Sequence, residues 1–240
     1  MKQNMLANRL PRTMSSSVST TARYTLFTVS AVCCILATRA QAPASEDPAY
    51  TRTISQRAEK IAATLGLPDT ASFHRVQYII MDQYRGLNNI YKERDAQIKI
   101  AKADTAAGKE AIAQKIKAAT DAAAARVTAL HTEYLSKLAS TLSPEQIVKV
   151  KDGMTYGVLP ITYKAYLEML PDLTGAQKTQ LLAWLTEARE YAMDAESSEK
   201  KHAWFGKYKG RINNYLSAAG IDMKKAGEDW EKRRKVANGG

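Results

Sequence analysis

The segment KEAIAQKIKAATDAAAARVTALHTEYLSKLASTL, residues 109–142, decides the fold that the sequence predicts. Its larger apolar residues recur every three or four positions, which is the period of one face of an α-helix. The middle of the segment, Ala118 to Ala125, is almost entirely alanine. Such a thin ridge suits close contact with a neighbouring helix, so we expect a long helix that packs along a partner.

That partner is predicted immediately upstream. Residues 70–105 show the same helical period, Asp69 can cap their start, and Gly108 marks a turn before the next helix. We therefore expect residues 70–142 to form an antiparallel helical hairpin that projects from the domain as an arm.

The remainder of the chain, residues 143–236, also has helical patterns. Ser143 and Thr174 each stand three residues before a glutamine, which is the spacing of a capping box at a helix start. No segment alternates with a period of two for long enough to predict a strand. The predicted fold class is therefore all-α: a helical bundle with the hairpin and a C-terminal helical part.

Two local predictions concern this C-terminal part. Residues 153–160 combine apolar side chains with two glycines and a proline, and residues 161–171 continue this apolar segment to Pro171. We therefore expect a connection over residues 153–171 that interrupts the helices and is either buried or lines a cleft. A helix over residues 177–197 should follow, with Trp184 and Tyr191 on its inward face.

The N-terminus predicts export. Basic residues precede an apolar run from Tyr24 to Ala37, and small residues follow, which is the pattern of a secretory signal peptide over residues 1–44. The run is shorter than the roughly 20 residues that a membrane span needs, although a retained membrane helix is the alternative. The mature domain, residues 45–240, would then have no membrane span and would lie in the periplasm or outside the cell.

Charge and cysteine content change when that segment is removed. The segment holds five of the 35 lysines and arginines and no acid, so the mature chain, with its 24 acids, has a net charge of +6 rather than +11. Both cysteines, Cys33 and Cys34, are lost, which excludes disulfides, thiolate metal sites and a cysteine nucleophile. Export argues against a nucleic-acid partner more strongly than this modest charge argues for one.

The most unusual composition lies in residues 200–215, which hold five lysines and arginines, four aromatic residues and no acid. Gly206 and Gly210 each cost a helix roughly 1 kcal/mol relative to alanine. We therefore expect regular helix only from Ile212 onward, with the amides of the two glycines open to a ligand. A segment that accepts such costs is a candidate binding surface.

The side chains of this segment suit a carbohydrate, and acidic sugars in particular. Aromatic rings stack on the C–H faces of sugars, asparagine amides match neighbouring hydroxyl groups, and arginine or lysine binds carboxylate or sulfate. The alternative is that the rings belong to the core and that the lysines form a solvated rim. The candidate ligand-binding residues are Trp204, Lys207, Tyr208, Arg211, Asn213, Asn214, Tyr215 and Asp194.

Catalytic and cofactor signals are weak by comparison. Glu187, Glu190 and Asp194 share one helix face, and a pair of carboxylates could supply the acid and base of a glycan-acting enzyme. An acidic stripe is more often a solvated face, with Asp194 placed to anchor Lys200 or Arg211. The three histidines lie on different elements without ligand spacing, so we assign no metal, cofactor or catalytic residue.

The segment KHAWFGKYKGRINNYL, Lys201 to Leu216, preceded by EAREYAMD, Glu187 to Asp194, resembles an uncharacterised family of secreted bacterial proteins. The resemblance extends over Tyr50 to Lys235, and the family is catalogued as a domain of unknown function and described as a candidate sugar-binding family. It implies carbohydrate binding and brings no catalytic residues.

Three hypotheses follow. The first is an exported, non-catalytic module that binds carbohydrate through residues 200–215. The second is an envelope protein whose helical arm, residues 70–142, binds a partner protein. The third is a glycan-acting enzyme that uses Glu190 and Asp194.

Overall fold

The computed structural model describes residues 47–106 and 108–237 and confirms the all-α fold. These residues belong to one compact unit, Ser45–Gly240. The predicted signal peptide, residues 1–44, lies outside the described residues. The helices of the described residues are α1 (Pro48–Ala63), α2 (Thr70–Ala103), α3 (Lys109–Ala139), α4 (Pro144–Met154), α5 (Val158–Met169), α6 (Gly175–Met193), α7 (Ser198–Ala218) and α8 (Met223–Ala237).

The predicted hairpin is confirmed as α2 and α3, of 34 and 31 residues. Ion pairs between Glu93 and Arg126 and between Asp104 and Lys115 show that the two helices run antiparallel. Gly86 allows the helices to approach closely, because a Cβ atom there would lie 2.7 Å from Cδ2 of Leu130. Between Tyr91 and Val127, the described residues of the arm bury only three side chains, those of Ala101, Ala119 and Ala123.

Two hydrophobic clusters hold the bundle together. The first joins α1, the start of α2, the end of α3, and α4, around residues such as Ile80 and Leu138. The second joins α5, α6 and α7, around Leu185 and Ile212, and α8 packs against its edge. Met193 at the end of α6 belongs to the first cluster, so the α6–α7 junction lies where the two meet.

The prediction that residues 200–211 are not regular helix is wrong, because α7 is continuous from Ser198 to Ala218. Gly206 and Gly210 lie on its exposed side, where an added Cβ would meet nothing within 4 Å, and their amides belong to the helix. Their combined cost of about 2 kcal/mol is outweighed by burial of large apolar side chains on the opposite face, at about 1.5–3 kcal/mol each. The buried residues of α7 are Lys201, Phe205, Tyr208, Ile212 and Leu216.

The prediction of an irregular connection over residues 153–171 is wrong for most of that range, because Val158–Met169 forms α5. Only Thr155, Tyr156 and Gly157 separate α4 from α5. Tyr156 and Gly157 both have left-handed backbone conformations, with φ of 58° and 65°, and this reverses the chain within three residues. Among the described residues, no helix is both long and apolar enough to cross a membrane.

Candidate functional site

A cleft of about 410 Å³ lies between the hairpin arm and the α6–α7 junction. Tyr91 and Arg94 of α2 and one face of α3 form its arm side. Glu190 and Tyr191 of α6, the residues that follow them and Trp204 of α7 form the opposite side. Ala123, Ala124 and Val127 make the α3 wall apolar, while charged groups converge at one end.

Asp194 is the centre of that charged end. It follows the last residue of α6 and is buried, with 8% of its surface exposed. One carboxylate oxygen accepts a hydrogen bond of 3.1 Å from Nε2 of Gln83, and the other lies 2.6 Å from Nδ1 of His131. The hydroxyl of Tyr91 donates to the carbonyl oxygen of Asp194 at 2.8 Å. The arm is therefore tied to the α6–α7 junction by three side chains.

His131 links Asp194 to a second carboxylate. Its hydrogen bond to Asp194 raises the pKa of His131 above its ordinary value, against the opposing effect of burial. Its Nε2 atom lies 3.9 Å from Oε2 of Glu190, and that oxygen also accepts a 2.6 Å hydrogen bond from Lys151. Both carboxylates of the predicted acid–base pair thus already have cationic partners.

Lys201 is buried at the other side of the junction, which contradicts the expected solvated rim at this position. Its amine donates hydrogen bonds of 3.0 and 2.8 Å to the carbonyl oxygens of Ala192 and Met193 at the C-terminus of α6. Burial lowers the pKa of Lys201 to about 8. Lys201, in the first turn of α7, therefore caps the C-terminus of α6, and this fixes the angle between the two helices.

The wall between this cleft and the outer surface is a stacked pair of aromatic rings. The rings of Tyr191 and Trp204 have centroids 4.6 Å apart and planes inclined by 17°. The amine of Lys207 lies 5.0 Å from the centroid of Trp204. The prediction that Tyr191 points inward is wrong, because 48% of its surface is exposed. The exposed part of Tyr191 faces away from Trp204 and is available to a ligand.

A second groove, of about 370 Å³, lies on the other side of the same stack. It brings together four of the predicted residues, and its volume lies near that of the cleft. Arg211 in this groove lies 4.4 Å over the ring of Trp184 and 3.7 Å from a carboxylate oxygen of Glu187. The groove is lined by Glu187, Tyr191, Trp204, Lys207, Tyr208 and Arg211.

The other predicted residues of α7 lie apart from both concavities. The side-chain oxygen of Asn213 accepts a 2.7 Å hydrogen bond from the hydroxyl of Tyr166, and Asn214 is exposed. Tyr215 packs edge-on against Trp184, with ring centroids 5.3 Å apart. Of the predicted set, the cleft therefore receives Asp194 and Trp204, and the groove receives Trp204, Lys207, Tyr208 and Arg211.

The expectation that Asp194 anchors Lys200 or Arg211 is wrong. Lys200 lies 3.9 Å from Glu196, and Arg211 pairs with Glu187. Because Asp194 points into the bundle, its partners come from the arm, more than 60 residues away along the chain. No periodicity in the local sequence could show that contact.

Sequence reasoning also missed Gln83, His131 and Lys201, although two of them left a signal. Gln83 lies on the apolar stripe of α2, and Lys201 lies on the same face of α7 as the apolar stripe of that helix. A polar residue at a core position needs a partner, and this marks it as part of a buried network. His131 is half-buried and left no such signal. In the described part of the chain, no three histidine or acidic side chains are placed to hold a metal ion.

Fold and site together define an all-helical domain whose cleft lies between a hairpin arm and a capped helix junction. The chain belongs to the family described as protein of unknown function (DUF3826), whose model matches residues 51–236. This confirms the resemblance at the level of an uncharacterised family. No curated protein matches the chain.

Proposed function

We propose that this protein is an exported, non-catalytic module that binds carbohydrate in the cleft beside the arm. The observation that carries the proposal is the Tyr191–Trp204 stack, which is a wall of both the cleft and the outer groove. Clefts of roughly 300–1,000 Å³ with aromatic walls and a few convergent polar groups are typical of small-molecule sites. The cleft, at about 410 Å³, is in this range.

The chemistry of the cleft matches one or two sugar rings. The exposed face of Tyr191 offers a flat apolar surface for the C–H face of a sugar. Arg94, His131 and Glu190 line the same space and supply donors and an acceptor for hydroxyl groups. The ion pairs that hold these three residues in place reduce the entropy that would be lost on binding.

The outer groove extends the same proposal toward acidic sugars. Lys207 and Arg211 lie beyond the shared stack, where the next ring of an oligosaccharide would reach. Cations at this distance favour carboxylate or sulfate substituents. The proposal assigns Trp204, Lys207, Tyr208 and Arg211 to this subsite. Asn213, Asn214 and Tyr215 would contact a glycan only if it continued along α7.

A glycan array followed by calorimetry tests this function. Tyr191→Ala should weaken binding of the best glycan about tenfold, since a lost stacking contact is worth roughly 1–3 kcal/mol. Tyr191→Phe keeps the ring and should bind nearly as well as the unaltered protein. Tyr78 is a matched control, because it is 61% exposed on α2 and lies outside the cleft. Equal affinity for Tyr191→Ala and Tyr78→Ala would reject the site.

Export is a separate part of the proposal and has its own test. It depends on the basic and apolar pattern of residues 1–44. Mass spectrometry of the protein purified from a bacterium that secretes it should give a mature N-terminus near residue 45. A full-length chain that begins at Met1 would contradict export with cleavage.

A second candidate is a glycan-acting enzyme in the same cleft, favoured by the Asp194–His131 contact of 2.6 Å. A carboxylate that holds one ring nitrogen orients the imidazole, and a histidine of raised pKa can donate a proton. Glu190 on the other side of the ring would be the second group. Turnover of an array-positive glycan, abolished by His131→Gln and by Asp194→Asn, would favour this enzyme; absence of turnover leaves the binding module.

The arm supports a third candidate, binding of an envelope protein. Ile100, near the turn of the hairpin, is 71% exposed, and residues 118–125 of α3 are alanine apart from Thr120 and Asp121. Replacing residues 105–109 by a short glycine linker should abolish capture of that partner and leave glycan binding unchanged. Loss of glycan binding with the partner retained would reject this alternative.

A further inference from the structure

A second cavity, of about 290 Å³, lies where α1, α2 and the start of α7 meet. Tyr91 and Ala195 line both this cavity and the cleft. Tyr91 and the α6–α7 junction that it contacts therefore form a wall between the two spaces. Nothing in the proposed carbohydrate site uses the remaining lining of this cavity. Its charge distribution differs from that of the cleft.

Three cationic side chains line the cavity: Arg57, Lys92 and Lys201. In the described residues, none of the three has a carboxylate oxygen within 4.0 Å, although most lysines and arginines near the cleft do. The lining also contains two acids, Asp95 and Glu196. Both acids already pair with Arg94, which does not line the cavity: its guanidinium lies 2.6 Å from a carboxylate oxygen of Asp95 and 2.5 Å from one of Glu196. Positive charge therefore predominates inside the cavity.

Lys201 places part of that charge at the buried end. Only 5% of its surface is exposed. An ammonium group carries three protons, and two of them are donated to the carbonyl oxygens of Ala192 and Met193. Burial is the main reason that the pKa of Lys201 falls; the carboxylate of Asp194 opposes this fall, and repulsion from Arg57 adds to it. An anion in the cavity would relieve that repulsion and accept a hydrogen bond from the remaining N–H of Lys201.

Neutral hydrogen-bond donors complete the lining. Tyr84 and Tyr156 both line the cavity. Burial raises the pKa of Tyr84 to about 12, so this hydroxyl keeps its proton and can donate it. Tyr156 stacks on His202, with ring centroids 5.7 Å apart, and its backbone is in the left-handed region. A bulky residue in this conformation costs roughly 1–2 kcal/mol.

We propose that this cavity binds an oxyanion, namely a phosphate, sulfate or carboxylate group, between Arg57, Lys92 and Lys201. The group is either a free ion or an acidic substituent of a glycan that occupies the neighbouring cleft. In either case, the site is separate from the Tyr191–Trp204 stack and does not require it.

Calorimetric titration with inorganic phosphate, and separately with sulfate, at low ionic strength tests the site. The unaltered protein should bind at least one of the two ions at one site per chain. Arg57→Gln with Lys92→Gln should bind that ion at least tenfold more weakly. The control, Arg52→Gln with Lys99→Gln, removes two exposed cations from the same two helices outside the cavity and should bind as the unaltered protein does. Absence of binding, or equal weakening in both double variants, would overturn the proposal.

A competition experiment then identifies the source of the anion. If a glycan found on the array places an acidic group here, saturating phosphate should weaken its binding, whereas unchanged glycan affinity would identify the free ion. Tyr191→Ala should retain phosphate binding, because that ring does not line the cavity. If the protein binds no glycan, the phosphate titration still decides whether the anion site exists.

Discussion

The cleft and the outer groove lie on opposite sides of one aromatic stack, yet they are built in different ways. In the cleft, Asp194 is buried and bonded to side chains from two helices of the arm. In the groove, Glu187 and Arg211 are both exposed and lie 3.7 Å apart on neighbouring helices. The difference shows where the charges are structurally required and where they remain available to a ligand.

A buried charge must keep its partners, because an unpaired ion in a low-dielectric interior is strongly unfavourable. An exposed pair can separate at little cost, since water replaces the partner. The cleft should therefore be rigid and preorganised, while the side chains of the groove can rearrange around a guest. Four predictions test this contrast.

The largest expected effect is on stability. Asp194→Ala removes the carboxylate that pairs with His131 and Gln83, so we expect the free energy of unfolding to fall by about 3 kcal/mol. Glu187→Ala, its counterpart in the groove, should change it by less than about 0.5 kcal/mol. Urea denaturation followed by circular dichroism measures both values. Equal losses for the two variants would remove the distinction between cleft and groove.

A smaller loss is expected from Gly86→Ala, on the arm side. The added Cβ would lie 2.7 Å from Cδ2 of Leu130, one residue before His131, so either the side chain of Leu130 or the two helices must shift. Overpacking of this kind costs about 1–3 kcal/mol. Thermal unfolding would measure the change, and unchanged stability would mean that Leu130 moves aside freely.

Gly206→Ala, on the groove side, should have the opposite sign. Because nothing lies within 4 Å of the added Cβ and the residue is inside a helix, we expect a gain of up to about 1 kcal/mol. Glycan binding should be unaffected if the amide of this glycine takes no part in recognition. If Gly206→Ala is more stable but binds glycan more weakly, the glycine takes part in binding, as expected from the sequence.

The last prediction concerns pH. The pKa of His131 is raised in the folded state, so protonated His131 stabilises the fold. This stabilisation is fully present below pH 6.5, the ordinary pKa of histidine, and is lost as the pH rises through the pKa of His131 in the folded protein. For Lys201, the folded pKa of about 8 lies below the ordinary value of 10.5, so stability should rise again between these values. Urea denaturation across this range should show a shallow minimum near pH 8.

Two variants separate the contributions to that minimum. His131→Gln should remove the fall in stability, and Lys201→Met should remove the rise. His74→Gln is a control, since His74 is exposed on α2 and lies outside the cleft. An unchanged pH profile in both the His131 and the Lys201 variant would mean that neither group titrates differently in the folded chain.

The same contrast explains what the sequence could predict. The hairpin follows from helical periods that extend over many turns, and the capping boxes at Ser143 and Thr174 are present as their spacing predicts. The groove could also be predicted in part from the sequence, because Trp204, Lys207 and Arg211 lie on successive turns of one helix. Local composition is enough to find a surface of that kind.

The cleft could not be predicted in this way, because its residues come from segments that are distant in the sequence. His131 and Gln83 reach Asp194 only after the arm has packed on the bundle. The two glycines of α7 were misread for a related reason. Their local cost was visible in the sequence, but the burial of Phe205 and Ile212 that outweighs it depends on helices elsewhere in the chain.

The most direct measurement follows the three tryptophans while a glycan identified on the array is added. Trp204 belongs to the proposed wall, Trp184 lies on the far side of Arg211, and Trp230 is on α8. In ¹⁵N–¹H spectra, the indole resonance of Trp204 should shift with saturation while that of Trp230 stays in place. Binding that leaves the Trp204 resonance unchanged would show that the guest sits elsewhere and would contradict the account.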